Sequence, residues 1–164
     1  MLSMKAIWIG NDHGGYELKI KILEYLDQHG IPYNDVGCGS TDIVRYPYYA
    51  AKVAGAVSSG EADRGILICS TGIGMSIAAN KYKGVRASLC ATSYSGKMTR
   101  AHNNSNILCM GGKTIGTFEA LEILERWLEQ EYEGGRHDIS LGLIEEIEEE
   151  NLTGASWINK GEER

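Results

Sequence analysis

The sequence predicts an α/β domain, a doubly wound Rossmann-like sheet of about five parallel strands with helices on both faces. Two observations carry that expectation. Short apolar runs alternate with segments of helical periodicity, the order that joins parallel strands through crossover helices. At 164 residues, the chain holds one such unit with a sizeable core, but not two ordinary domains. The domain is placed at 1–150 and a C-terminal tail at 151–164.

The elements follow in order. Lys5–Gly10 reads as the first strand. Tyr16–Gln28 reads as a helix, with Leu18, Ile22, Tyr25 and Leu26 on one face and Gly30 just beyond its end. Ile31–Val36 reads as a strand, and a loop runs through Gly37–Tyr46. Pro47 suits a helix start, and Tyr49–Ser58 is alanine-rich and helical in pattern. Gly65–Cys69 is a continuous apolar run, a buried strand, with a helix expected over Met75–Lys81. Val85–Leu89, Tyr94–Ala101 and Ile107–Met110 supply strand, helix and strand. A long helix comes next, with Phe118, Leu121, Leu124 and Leu128 expected on its buried side. Past a turn at Glu133–His137, a last amphipathic helix carries Leu143, Ile144 and Ile147, its acidic Glu145–Glu150 stretch facing solvent.

Composition narrows the function classes. A net charge of −6 argues against wide contact with a phosphate backbone, so nucleic acid is not an expected partner. No apolar run reaches bilayer length and the N-terminus lacks a signal-peptide pattern, so no membrane partner is expected. Cys38, Cys69, Cys90 and Cys109 are scattered without a C-x-x-C pair or metal-like spacing, and read as reduced thiols in a cytoplasmic protein. Cys90 and Cys109 suit small core positions and Cys38 a loop.

Cys69 is different. It closes its strand and is followed at once by Ser70-Thr71-Gly72-Ile73-Gly74, a glycine-rich turn whose N–H groups can hold an anion at a helix start. The same field favours a thiolate over a thiol. A base or nucleophile beside a cradle for negative charge points to an enzyme. Asn11-Asp12-His13-Gly14-Gly15 and Gly111-Gly112-Lys113 also follow strands, so all three segments converge on one crevice. Asp12 reads either as a helix N-cap or as a functional carboxylate beside His13. The glycines do not complete G-x-G-x-x-G, because Ile77 stands at the third position, and no acidic residue ends the next strand. A metal site from Asp12, His13, His102 and His137 lacks any i, i+4 pair of histidines, and none is expected. His102-Asn103-Asn104 lies between the fourth helix and the fifth strand, at the amino edge of the sheet, while Cys69 belongs at the carboxyl edge. A five-residue strand separates those edges by roughly 16 Å. Either His102 acts with Cys69 from a neighbouring subunit, or it merely caps its helix.

Four segments together are similar to one known family. They are Gly10-Asn11-Asp12-His13-Gly14-Gly15, Ile68–Lys81, His102-Asn103-Asn104-Ser105-Asn106 and Glu133-Gly134-Gly135-Arg136-His137. In order and spacing, from Met4 to Glu149, they resemble the ribose-5-phosphate isomerase B family, which includes galactose-6-phosphate and allose-6-phosphate isomerases. The resemblance implies a metal- and cofactor-independent aldose–ketose isomerase of the pentose phosphate pathway, passing through a cis-enediolate. Its substrate is a small sugar phosphate, and its sites are shared across a homodimer, with a tetramer left open. By that likeness Cys69 is the base and His102 the acid–base group for ring opening. Asp12 and His13 hold the sugar, and Ser70, Gly72, Ile73 and Gly74 cradle the enediolate oxygen with help from the Thr71 hydroxyl. Asn103 binds substrate, and Arg136 contacts the phosphate, with Lys113 close by. The chain departs from the family at Ser140, where a second arginine is common, at Lys113 for arginine, at Ser70 for glycine, and at Arg45 for aspartate. Ser140 and Lys113 keep one alternative in view, a hexose-6-phosphate (allose or galactose) or free-sugar isomerase; a further alternative, a non-catalytic sugar-phosphate-binding protein, is disfavoured by the presence of both Cys69 and His102.

Overall fold

A computed structural model describes residues 5–152. Expectations for the tail beyond residue 152 lie outside the described residues. Five strands, β1 (Ile7–Asn11), β2 (Tyr33–Asp35), β3 (Gly65–Cys69), β4 (Ala87–Leu89) and β5 (Ile107–Gly111), form one sheet in the order β2-β1-β3-β5-β4. Every pairing is parallel. The helices are α1 (Tyr16–Gln28), α2 (Tyr46–Ser59), α3 (Ile73–Ala79), α4 (Ser93–Asn103), α5 (Thr117–Glu129) and α6 (Arg136–Asn151). The Rossmann-like architecture is the one expected. Among the described residues, no helix is long and apolar enough to cross a membrane.

Strand alternation divides the core in two. Ile66 and Ile68 of β3 face a layer holding Leu18, Ile22 and Leu26 of α1 with Ile123, Leu124 and Trp127 of α5. Leu67 and Cys69 point the other way, toward Tyr49, Val53 and Ala54 of α2 with Met75 and Ala79 of α3. With both faces covered, β3 and β5 are buried along their whole length, and each large aliphatic side chain so buried contributes about 1.5–3 kcal/mol.

Several boundaries differ from expectation for identifiable reasons. Helix α2 begins at Tyr46 with Pro47 in its first turn. Helix α3 starts at Ile73 rather than near Met75, because Gly72 takes a left-handed conformation (φ 76°) as its N-cap. Helix α4 extends to Asn103, so His102 and Asn103 form its last turn instead of following it. A Thr92–Ser95 capping box starts this helix, and a left-handed Asn104 ends it. On α5 the buried stripe is Ala120, Ile123, Leu124 and Trp127, while Phe118 is 79% exposed. Helix α6, read as amphipathic from sequence, buries none of its residues among the described part of the chain. Its Leu143, Ile144 and Ile147 remain exposed.

Candidate active site

The topology fixes where a ligand can enter. From β1 the chain turns into α1 on one face, and from β3 it turns into α3 on the other. The loops after these neighbouring strands therefore part, leaving a crevice at the carboxyl edge. Asp12 and Cys69 stand at its two sides.

Backbone hydrogen bonds knit three loops around that crevice. The Asp12 N–H donates to Ile68 O (3.1 Å), the Gly112 N–H to Cys69 O (2.8 Å) and the Lys113 N–H to Ser70 O (2.9 Å). Contact is close enough to demand glycine at Gly14, where a Cβ would lie 2.1 Å from Ser70 Oγ and 2.9 Å from Ser70 N. The convergence expected of Asn11–Gly15, Cys69–Gly74 and Gly111–Lys113 is thus what the chain builds.

Within this crevice each group has a defined setting. Asp12 is the N-cap of a short 3₁₀ turn, His13–Gly15, and its carboxylate accepts from the Gly14 N–H at 2.9 Å. Burial pushes its carboxyl above the usual 3.8, opposed by the charge of His13 and by the Gly14 and Gly15 N–H groups. His13 Nδ1 accepts from the Val44 N–H at 3.3 Å, which drapes the 37–46 loop against the site. Tyr46, at the end of that loop, lies against Gly74 so closely that a Cβ there would sit 2.8 Å from its ring. Sequence reasoning missed this wall, and Tyr46-Pro47 at a helix start was its only signal.

Cys69 is 5% exposed, and its Sγ accepts from the Gly72 N–H at 3.1 Å. The sulfur thus sits inside the turn that follows it. Thr71 is exposed, and its Oγ1 accepts from the Ile73 N–H at 3.2 Å. Two N–H groups of the turn are therefore engaged, one on sulfur and one on a hydroxyl. The Ser70 carbonyl holds the Lys113 backbone, and the Lys113 side chain is exposed at the rim. The remaining thiols, Cys38, Cys90 and Cys109, are buried. Burial pushes Cys38 and Cys90 upward and Cys109 well upward. Cys38, expected in a loop, is there but buried, with its carbonyl accepting from Lys19 Nζ at 2.7 Å.

His102, Asn103 and Arg136 are elsewhere. Helix α4 runs back from the carboxyl edge and ends beside Arg86, the residue before β4, whose Nε donates to Asn103 O at 3.0 Å. That is the amino edge. Asn103 lines a groove of about 450 Å³ shared with Arg86, Asn80 and Ile144 of α6. Arg136 is exposed as the first residue of α6. In place of the four-residue metal set considered from sequence, His102 meets Glu133 and His137, with Asp12 and His13 on the opposite edge. One chain therefore divides its candidate residues between two edges. Asp12, His13, Cys69, Ser70, Thr71, Gly72, Ile73, Gly74 and Lys113 share one, and His102, Asn103 and Arg136 share the other.

Comparison with known proteins gives a consistent picture. A family model described as Ribose/Galactose Isomerase matches residues 7–144. Ribose-5-phosphate isomerase B of Escherichia coli is 45% identical over 146 residues, covering 89% of this chain and 98% of that protein. The D-erythrulose-4-phosphate isomerase of Pectobacterium atrosepticum is 41% identical over 133 residues, covering 80% of this chain and 88% of its own. Among solved structures, ribose-5-phosphate isomerase B of Clostridium thermocellum superposes with a TM-score of 0.87 at 49% identity, covering 88% of this chain and 98% of that one.

Proposed function

This chain belongs to the ribose/galactose isomerase family, whose members are aldose–ketose isomerases, and on that footing we propose that it interconverts ribose 5-phosphate and ribulose 5-phosphate at a site shared between two chains. The observation that carries the reading is the junction of Asp12, His13 and the Cys69–Gly72 turn at the β1/β3 crevice, with His102 left on the far edge.

The proton bookkeeping is simple. A base removes the hydrogen on C2 of the open-chain aldose, and the electron pair moves through C1 to the aldehyde oxygen, giving an enediolate. Return of the proton to C1, with transfer of the hydroxyl proton from O2 to O1, gives the ketose. Cys69 as thiolate is suited to the carbon step, since it ends a strand beside the turn where the negative oxygen would form. The Gly72 N–H already on sulfur would stabilise that thiolate. The exposed Thr71 hydroxyl is free to donate to the same oxygen while accepting from Ile73. Asp12 and His13 would orient the sugar hydroxyls, with the His13 ring steadied by Val44. His102 from the second subunit would open the furanose by moving a proton to the ring oxygen. Asn103 would bind the sugar, and Arg136 would meet the phosphate with its planar fork, aided by Lys113 at the rim.

Ser140 and Lys113, where the family commonly carries arginine, favour a second reading in which another sugar phosphate is preferred. Initial rates on ribose 5-phosphate, allose 6-phosphate, galactose 6-phosphate and the free sugars decide between the two. The first reading expects the highest kcat/KM on ribose 5-phosphate, and a clear preference for a hexose 6-phosphate would replace it. Cys69→Ala should lower kcat by about 10²–10⁴-fold, the usual worth of a positioned base. Activity unchanged by that substitution removes the mechanism.

A further inference from the structure

Three metal-ligating side chains meet at the amino edge. His102 comes from the last turn of α4, Glu133 from the segment before α6, and His137 from the first turn of α6. One donor atom from each lies within 4.8 Å of the other two. Glu133 Oε2 stands 3.7 Å from His137 Nε2 and 3.9 Å from His102 Nε2. The imidazoles stack, with centroids 4.3 Å apart and planes 16° apart. These nitrogen–oxygen separations are too long for charge-assisted hydrogen bonds. What holds the residues together is backbone. The Glu133 N–H donates to Ala101 O at 3.0 Å and the His137 N–H to Gly134 O at 3.2 Å.

We propose that His102, Glu133 and His137 form a binding site for a divalent transition-metal ion, with zinc as its representative, and that occupancy reversibly switches the enzyme off. Two imidazole nitrogens and one carboxylate oxygen make a donor set suited to zinc, with a fourth position left for water. Bonds of about 2.0–2.1 Å in tetrahedral geometry place donors roughly 3.3 Å apart. Glu133, whose side chain is 55% exposed, has only to move by the small remaining difference. The rings must tilt out of their stack, and the His102 side chain, 38% exposed, has room to do so. Metal binding takes the Nε2 lone pair of His102. A histidine so engaged cannot move a proton, so the ion competes with ring opening and plays no part in the isomerisation. The inhibitory half rests on the proposed role of His102, whereas the binding half does not.

The test uses the metal-stripped full chain, titrated with zinc chloride against a chromophoric chelator, with isomerase activity followed in parallel. The expected result is one ion per chain at micromolar affinity or tighter, with activity lost on saturation and restored by EDTA. His137→Ala and Glu133→Gln should each weaken binding by about 100-fold or more, since even outer partners of a metal site are worth 10–100-fold. Cys69→Ala should bind as the unmodified chain does, which separates this site from thiol capture. Cobalt(II) in place of zinc should give visible absorption without an intense thiolate band, and that absorption should vanish in His137→Ala. Thermal melts check that each variant is folded. Zinc affinity unchanged in both His137→Ala and Glu133→Gln, or lost in Cys69→Ala alone, overturns the site. Binding with full activity retained overturns the inhibitory half, and tells against His102 as a proton-transfer group.

Discussion

At Asp12, burial and hydrogen bonding act against each other. Desolvation lifts its carboxyl above 3.8, while His13 and the N–H groups of Gly14 and Gly15 pull it back. The folded state therefore binds the Asp12 proton more tightly than the unfolded chain. Its contribution to stability is fully present below pH 3.8 and fades as pH rises through the elevated folded value. Asp12→Asn keeps an N-cap acceptor and removes the buried charge. Urea unfolding should then show the variant gaining on the unmodified chain from acid toward neutral pH, while isomerase activity falls. A stability difference between the two chains that stays constant from acid to neutral pH, or that shifts against the variant, would contradict this. From sequence, Asp12 read as either a cap or a functional carboxylate. Its structure makes it the cap, and the sugar-holding role is a separate claim tested by activity. Gly72 is a second residue whose identity is constrained. Its φ of 76° and a prospective Cβ only 2.8 Å from the Met110 carbonyl carbon rule out a larger residue without movement. Gly72→Ala should cost about 1–3 kcal/mol in chemical denaturation, the range for a non-glycine residue held in a strained conformation.

Among the elements, legibility followed how much a segment's own pattern decided. Strands β3 and β5 were plain because both faces are buried and the run is apolar throughout. Strands β2 and β4, at the sheet edges, proved shorter than read, three residues each, since only one neighbour fixes their ends. Helix α5 shows how two compatible stripes can compete. Phe118, Leu121, Leu124 and Leu128 satisfy helical spacing, but so do Ala120, Ile123, Leu124 and Trp127, and the sheet chose the second set. Trp127 secures that choice through its Nε1, which donates to Ser105 Oγ at 3.2 Å, and through the Arg64 and Arg100 guanidiniums over its ring. Trp127→Ala should therefore destabilise the fold by about 3–5 kcal/mol, readable as a lower urea midpoint. Phe118→Ala should change that midpoint little, and equal effects would overturn the assignment of the buried stripe.

On the scale of the whole molecule, the sheet dictates which candidate residues can meet. The carboxyl-edge cluster was legible because each member ends a strand or lies in the turn and helix start that follow one. His102 was legible as a problem: five residues before β5, it had to lie on the other edge from Cys69. The meeting of His102 with Glu133 and His137 was not legible, because it depends on how α6 starts after two left-handed glycines, Gly134 and Gly135. Nor did periodicity reveal that Leu143, Ile144 and Ile147 of α6 stay exposed among the described residues. Given these separations, the proposed mechanism requires the Cys69 edge of one chain and the His102 edge of another. Mixing Cys69→Ala and His102→Ala chains, each inactive alone, tests it most directly. Random exchange makes half the dimers mixed, each with one intact site, so about a quarter of the unmodified activity should return. No recovered activity despite subunit exchange confirmed by native mass spectrometry would contradict the claim.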